Sequence, residues 1–167
     1  MRVVFETHST SEDNERGIAT GWLGGALSDT GRAQARELGE RRRDVSAVYA
    51  SDLNRAVETA QLAFPGRTVH LDWRLRECDY GDWNGMPRAR LDVERAARVD
   101  VPFPGGESWR QAVARVDGFL AELATDGAVV IGHIATRWAF EQRCRGRSLE
   151  ELAAEEFLWQ PGWEYSL

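Results

Sequence analysis

Short apolar segments alternate with amphipathic helical patterns along this chain, and this alternation constrains its fold more than any other feature. Strands are predicted at residues 3–5, 47–50, 68–71 and 128–131, with a final edge strand at 163–167. Helical patterns lie between most of these segments, and parallel strands need such helical connections. The sequence therefore predicts an α/β fold, a three-layer sandwich with a mainly parallel central sheet.

Caps and apolar stripes locate the intervening helices. Helices are predicted at residues 28–43, 51–63, 88–99 and 109–123, followed by one after His133 and a last one opened by a capping box at Ser148. No repeat, low-complexity tract or linker divides the chain, so residues 1–167 are predicted to form a single domain. The Pro- and Gly-containing segment 78–106 breaks the pattern, and we expect it to form a cap-like excursion.

The basic residues exclude several classes of enzyme. All 21 of them are arginines, so P-loop ATPases, Schiff-base aldolases and pyridoxal enzymes, which depend on a lysine, are excluded. The net charge of −6 argues against nucleic acid or an anionic membrane as a partner. Only three apolar residues lie between Arg2 and Glu6, and Cys78 and Cys144 lie far apart. We therefore expect a cytoplasmic protein with reduced thiols.

Four reactive side chains follow predicted strands. His8 follows the first strand, Arg55 lies in the first helical turn after the second, and Glu77 comes shortly after the third. His133 directly follows the long apolar strand. Because ligands bind beyond the carboxyl ends of parallel strands, these four residues are predicted to meet at one edge of the sheet.

This set of side chains suits phosphoryl transfer. A neutral imidazole can attack phosphorus and form a phosphohistidine, which divides one difficult displacement into two easier ones. An arginine matches the spread of phosphoryl oxygens, and a second imidazole adds another donor. A glutamic acid can protonate the departing alkoxide and later activate water.

Several short motifs occur in the order typical of one known family. They are Thr7-His8-Ser9 with Asn14, Ala19-Thr20-Gly21-Trp22, Leu27-Ser28 with Gly31, the segment 49–56 with Thr59-Ala60, Glu77 with Gly81 and Gly85, the segment 104–108, and Val130-Ile131-Gly132-His133. Each motif alone is weak, but their order over about 140 residues resembles the histidine phosphatase superfamily. The resemblance is to the smaller phosphatase branch of this phosphoglycerate mutase-like family.

The resemblance implies a role for each matching residue. His8 would accept the phosphoryl group, Arg55 and His133 would hold the phosphate, and Glu77 would be the acid. Four further residues would contact phosphate or substrate, namely Thr7, Ser9, Asn14 and Thr20. No cofactor or metal is implied, and the partner would be a small phosphorylated substrate.

The sequence departs from the family pattern at the nucleophile. Thr7 stands where the family has its first Arg, and Ser9 stands where it has Gly. Losing one preorganised charged donor typically costs on the order of 10²–10³ in rate. Arg16 and Arg137 are the candidates to reach in and replace the missing cation. Ile134 and Ala135 also stand where the family usually has a glycine after its second His.

Simpler interpretations exist for each reactive residue. His8 and His133 could be structural, and Arg55 could pair with a carboxylate on its own helix. Asp79 or Asp82 could replace Glu77 as the acid. His8 and Glu12 have a metal-ligand spacing, but no third ligand accompanies them.

Three functions compete on this evidence. The first is a metal-independent phosphatase acting through phosphohistidine on a small phosphorylated metabolite. The second is a non-catalytic module that binds phosphate or a phosphometabolite and has lost its chemistry with the first Arg. The third is a phosphoglycerate mutase. A homo-oligomer is possible, but the sequence does not reveal it.

Overall fold

The computed structural model describes all 167 residues, which form seven strands and seven α-helices. In chain order the strands are β1 (Arg2–Thr7), β2 (Ile18–Ala19), β3 (Val48–Ala50), β4 (Val69–Leu71), β5 (Met86–Pro87), β6 (Ala128–Gly132) and β7 (Trp163–Ser166). The helices are α1 (Glu12–Glu15), α2 (Asp29–Arg41), α3 (Asn54–Ala63), α4 (Arg88–Glu94), α5 (Trp109–Glu122), α6 (Ile134–Arg145) and α7 (Leu149–Ala154).

Five strands form the central sheet in the order β4-β3-β6-β1-β7. Strands β4, β3, β6 and β1 run parallel to one another, and β7 pairs with β1 antiparallel at one edge. The predicted α/β fold with a mainly parallel sheet is therefore confirmed. In this sheet Thr7 lies opposite Gly132, so β1 and β6 end side by side.

Buried side chains of β6 alternate between two hydrophobic clusters. Val129 and Ile131 pack with residues of α2 and α3, whereas Val130 packs with residues of α5 and α6. This period of two is what a strand buried on both faces requires. Each fully buried Val or Ile side chain contributes about 1.5–3 kcal/mol. The sheet is thus the middle layer between two helical layers.

Two predicted helix boundaries are wrong. The helix predicted at 88–99 ends at Glu94 and continues as a 3₁₀ segment, Ala96–Arg98. After this tighter turn, the carbonyl oxygen of Val99 accepts a hydrogen bond from the Arg110 N–H, which ties the segment to α5. The helix predicted to start at Ser51-Asp52 begins at Asn54, because the Asp52 carboxylate pairs instead with Arg76 at 2.7 Å.

The segment 78–106 contributes its own small sheet. Its strand β5 pairs antiparallel with β2, and α4 follows directly. Because β2 belongs to the loop that follows β1, this pairing brings the segment close to the carboxyl end of β1. None of the helices combines the length and apolar character that crossing a lipid bilayer requires.

Candidate active site

The two histidines follow neighbouring strands at the middle of the sheet. His8 follows β1, and its backbone N–H donates to the carbonyl oxygen of Gly132 at 3.0 Å. His133 follows β6 and is the N-cap residue of α6. Their ring centroids lie 5.0 Å apart, so the pairing of β1 with β6 sets the distance between the imidazoles.

Hydrogen bonding and burial define the protonation state of His8. Its Nδ1 lies 2.8 Å from the carbonyl oxygen of Ser9. Because a carbonyl oxygen only accepts hydrogen bonds, Nδ1 carries the proton and Nε2 carries the lone pair. Burial, followed by the positive charge of Arg55, lowers the pKa of His8 to about 3. The ring is therefore neutral near pH 7 and can attack phosphorus.

His133 has an unsatisfied nitrogen. Its side chain is almost completely buried, with 1% exposed, and Nε2 has no hydrogen-bond partner. Burial, followed by the charge of Arg55, lowers its pKa well below the ordinary value. Leaving a buried polar atom unpaired costs about 1–3 kcal/mol, so a bound anion or hydroxyl would relieve this cost.

Arg55 is the cation beside the histidine pair. Its side chain lies in the first turn of α3 and is buried, with 3% exposed. Nη2 donates to the carbonyl oxygen of Gly21 at 2.9 Å and lies 3.5 Å from Nδ1 of His133. Nη1 donates to the carbonyl oxygen of Leu23 at 3.4 Å. The guanidinium thus contacts neutral acceptors, and its charge remains available to an anion.

Glu77 binds the start of helix α6. Its Oε1 accepts hydrogen bonds from the N–H groups of Cys78 at 3.0 Å and Ala135 at 3.2 Å. Its Oε2 accepts from the N–H of Ile134 at 3.3 Å. Two of these donors belong to the first turn of α6, where N–H groups have no partner within the helix. The carboxyl group is therefore held beside His133.

Arg115 fixes the backbone that carries Glu77. Its guanidinium donates to the carbonyl oxygens of Arg76 and Glu77, each at 2.7 Å, and to that of Arg74 at 2.8 Å. Nη2 also forms an ion pair with Glu107 at 2.7 Å. Because the Arg115 side chain is almost fully buried, these bonds hold Glu77 rigidly.

A cavity of about 470 Å³ joins these groups. His8, Arg55, Glu77 and His133 all line it, so the four residues predicted to meet do so. Three of the four predicted contact residues also line the cavity, namely Thr7, Asn14 and Thr20.

The fourth predicted contact residue is placed differently. Ser9 is buried and borders a separate small cavity of about 20 Å³. Its carbonyl oxygen orients His8, and its N–H donates to the hydroxyl of Thr59. The hydroxyl of Thr20 donates its proton to Asp13 at 2.8 Å, so toward a ligand this oxygen can act only as an acceptor.

The proposed replacements for the missing cation lie outside the cavity. Arg16 pairs with Glu12 at 3.5 Å on the surface. The guanidinium of Arg137 lies over the rings of Phe157 and Trp163, at 5.8 and 5.0 Å from their centroids.

Neither Asp79 nor Asp82 lines the cavity, so Glu77 supplies the only carboxyl group on its wall. The structure places no group of three or more His, Cys, Asp or Glu side chains where they could hold a metal ion.

Sequence reasoning missed several residues of the cavity wall, among them Tyr80, Arg88, Phe157 and Trp159. Tyr80 lies three residues after Glu77, and this closeness in sequence could have predicted that it lines the same cavity. Arg88 opens α4, and its Nε donates to Asp92 at 3.0 Å. Phe157 and Trp159 come from the loop between α7 and β7, and no periodic pattern pointed to them.

The family model of the histidine phosphatase superfamily (branch 1) matches residues 4–157 of the chain. The chain belongs to this superfamily. Curated relatives include the 2,3-bisphosphoglycerate-dependent phosphoglycerate mutase of Brucella ovis, which is 35% identical over 131 residues. That alignment covers 68% of this chain and 64% of the relative, so the chain matches less than two thirds of the mutase.

Solved structures of the superfamily share the fold. A mycobacterial glucosyl-3-phosphoglycerate phosphatase in complex with VO₃ superimposes with a TM-score of 0.78 at 29% identity, covering 92% of this chain and 86% of the other. A putative α-ribazole-5′-phosphate phosphatase from Escherichia coli gives 0.76 at 27% identity, covering 91% and 83%. A Bacillus stearothermophilus protein gives 0.85 at 22% identity over 98% and 89%, which supports the fold alone. Membership of the superfamily therefore agrees with the phosphoglycerate mutase-like fold.

Proposed function

We propose that this protein is a metal-independent phosphatase that hydrolyses small phosphorylated metabolites through a phosphohistidine at His8. In the first step Nε2 of His8 bonds to phosphorus while the ester P–O bond breaks. The departing alkoxide takes the proton of the Glu77 carboxyl group and leaves as an alcohol. In the second step water attacks phosphorus, its proton passes to Glu77, and inorganic phosphate leaves as the P–N bond breaks.

The arrangement around His133 carries this proposal. The unpaired Nε2 of His133, the lone pair of His8 Nε2 and the guanidinium of Arg55 belong to groups that line one cavity. All three can engage a phosphoryl group. Because Arg55 donates to Nδ1 of His133, the proton of that neutral ring lies on Nε2, which can donate it to a phosphoryl oxygen. Fixed donors of this kind stabilise charge that develops in the transition state. Arg88 adds a second positive charge to the wall of the cavity and supports an anionic substrate.

The position of Glu77 supports its role as the acid. Its Oε1 accepts two backbone hydrogen bonds, whereas Oε2 accepts one long bond of 3.3 Å. Oε2 is therefore the oxygen better placed to carry the proton. Because Arg115 fixes the backbone at Glu77, little conformational entropy is lost when the carboxyl group acts.

The test is release of phosphate from a generic aryl phosphate by the wild-type protein and by His8→Ala. We expect a loss of at least about 10³-fold, typical of removing a covalent nucleophile. His70→Ala is the matched control, because His70 lies on the exposed edge strand β4, away from the cavity. Equal rates for wild type and His8→Ala, or no turnover on a broad panel of phosphorylated metabolites, would refute the proposal.

Two alternatives have specific support. Thr7 in place of the family's Arg favours a non-catalytic module, which would show thermal stabilisation by phosphate compounds without turnover. The similarity to the Brucella mutases favours a phosphoglycerate mutase. Interconversion of 3- and 2-phosphoglycerate with 2,3-bisphosphoglycerate present, without net phosphate release, would identify a mutase.

A further inference from the structure

An aromatic loop borders the cavity that contains His8. Residues 155–162 connect α7 to β7 without regular secondary structure, and two of their side chains, Phe157 and Trp159, line the cavity. Trp159 is 57% exposed although it is a large apolar residue. Single exposed apolar side chains are common on folded surfaces, so the feature that matters here is the position of Trp159 on the cavity wall.

Phe157 anchors the loop, whereas Trp159 is left without a ring partner. The Phe157 ring lies 6.1 Å from that of Trp163, and the guanidinium of Arg137 lies over both rings. The Trp159 indole takes part in none of the aromatic pairs or cation–π contacts of the protein. One face of the loop is therefore packed against the domain, and Trp159 remains free to pack on a ligand.

Trp159 also lies close to the end of β1. It borders the small cavity that Thr7 and Ser9 share, in addition to the main cavity. The indole therefore lies near the nucleophile, within reach of the group attached to a phosphate held there. In a phosphomonoester, that group is the leaving alcohol.

Further apolar side chains line the same cavity. Ile134 follows His133, Leu91 lies on α4, and Ile18 belongs to β2. These residues come from three separate elements, so the apolar surface does not belong to a single loop. The cavity thus combines charged and polar groups with apolar side chains, a combination found in small-molecule sites. Its volume of about 470 Å³ leaves space for more than a phosphate group.

The phosphate end alone offers limited binding energy. Arg55 is the one cation in contact with the histidine pair, since Thr7 brings no charge. Contacts with a non-reacting part of the substrate can supply the energy that orients and desolvates the reacting group. An apolar leaving-group site would therefore compensate in part for the absent guanidinium.

We propose that Phe157, Trp159 and Ile134 form a leaving-group subsite that selects phosphomonoesters whose alcohol carries a flat apolar group. Stacking of such a group on the indole would bury part of its exposed face. Aromatic pairing adds to the gain from apolar burial, so we expect a preference of about tenfold or more. This inference rests on the proposed phosphatase function, and its test separates the two.

The experiment compares 2-phenylethyl phosphate with propyl phosphate, because both release alkyl alcohols of similar acidity. For the wild type we expect kcat/KM to be at least about tenfold higher with the phenylethyl ester, as stacking implies. Trp159→Ala should lower kcat/KM for the phenylethyl ester far more than for the propyl ester, and so remove most of this preference. Leu158→Ala is the matched control, since Leu158 is 71% exposed and does not line the cavity.

Binding of non-hydrolysable phosphonates separates this inference from the proposed function. The affinities of 2-phenylethylphosphonate and propylphosphonate, measured by calorimetry, depend on the subsite but not on turnover. A phenylethyl preference that Trp159→Ala abolishes supports the subsite even if no ester is hydrolysed. Equal wild-type affinities for the two phosphonates, or an equal loss of both in Trp159→Ala, would overturn the inference.

Discussion

Thr7→Arg should raise the kcat/KM of this protein for phosphomonoesters. Thr7 ends strand β1, and its side chain lines the cavity next to His8. Arg55 is the only guanidinium in contact with the histidine pair, although a phosphoryl group carries charge on three oxygens. A second guanidinium at position 7 would neutralise charge that the wild-type site leaves exposed.

The size of the effect follows from opposing contributions. A guanidinium about 4 Å from a phosphoryl charge gains about 4 kcal/mol at an effective dielectric constant of about 20. Fixing the long side chain costs up to about 2 kcal/mol of rotamer entropy. The difference of about 2 kcal/mol corresponds to roughly 30-fold in kcat/KM. Repulsion from Arg55 in the unliganded protein should also lower the melting temperature by a few degrees.

The assay is steady-state hydrolysis of an alkyl phosphate at low and high salt. Thr7→Gln is the control, because it has a long side chain with hydrogen-bond donors but no charge. We expect Thr7→Arg to exceed both the wild type and Thr7→Gln, with the advantage shrinking as salt screens the charge. A rate for Thr7→Arg at or below that of the wild type, with circular dichroism unchanged, would refute this reasoning and show that the site is organised around threonine.

Three further predictions concern single residues. Arg115→Met should lower kcat about tenfold, because the backbone carbonyls at Arg76 and Glu77 lose their hydrogen-bond donor. The loss should be larger for esters with poorer leaving groups, which depend more on the acid. An equal loss for all esters would contradict a role through Glu77. Arg88→Gln should raise KM for phosphomonoesters several-fold at low salt and leave kcat nearly unchanged, which a salt series of steady-state measurements would check. The free energy of unfolding should fall as pH decreases from about 6.5 toward 3, because the unfolded chain then protonates His8 while the folded protein, with a pKa of about 3, does not. Urea denaturation of wild type and His8→Asn across this range should show a shallower decline in the variant, and parallel curves would contradict the low pKa.

The sequence was sufficient to predict how the main site residues come together. His8 and His133 follow apolar strands, and parallel strands must end at the same edge, so their proximity follows from local patterns. The place of Arg55 and Glu77 also follows, because both come shortly after a strand.

The remaining walls of the cavity could not be predicted in this way. Phe157 and Trp159 lie in a loop whose course depends on packing of Phe157 against Trp163 and Arg137, which no local pattern encodes. The place of Arg88 depends on the pairing of two-residue strands that are too short to show a period. Ser9 was expected to contact phosphate, but its N–H is bonded to Thr59, fifty residues away.

The pairing of β1 with β6 has a consequence for how this protein can change. Neighbouring strands lie about 4.8 Å apart, and the imidazoles that follow them keep nearly the same spacing. Amide protons in these central strands should exchange with deuterium only through global unfolding, whereas those in the 155–162 loop should exchange through local opening. If the proposed function and subsite hold, reactivity and selectivity reside in regions of different stability. Mutations in the loop could then change selectivity without disturbing the histidine pair.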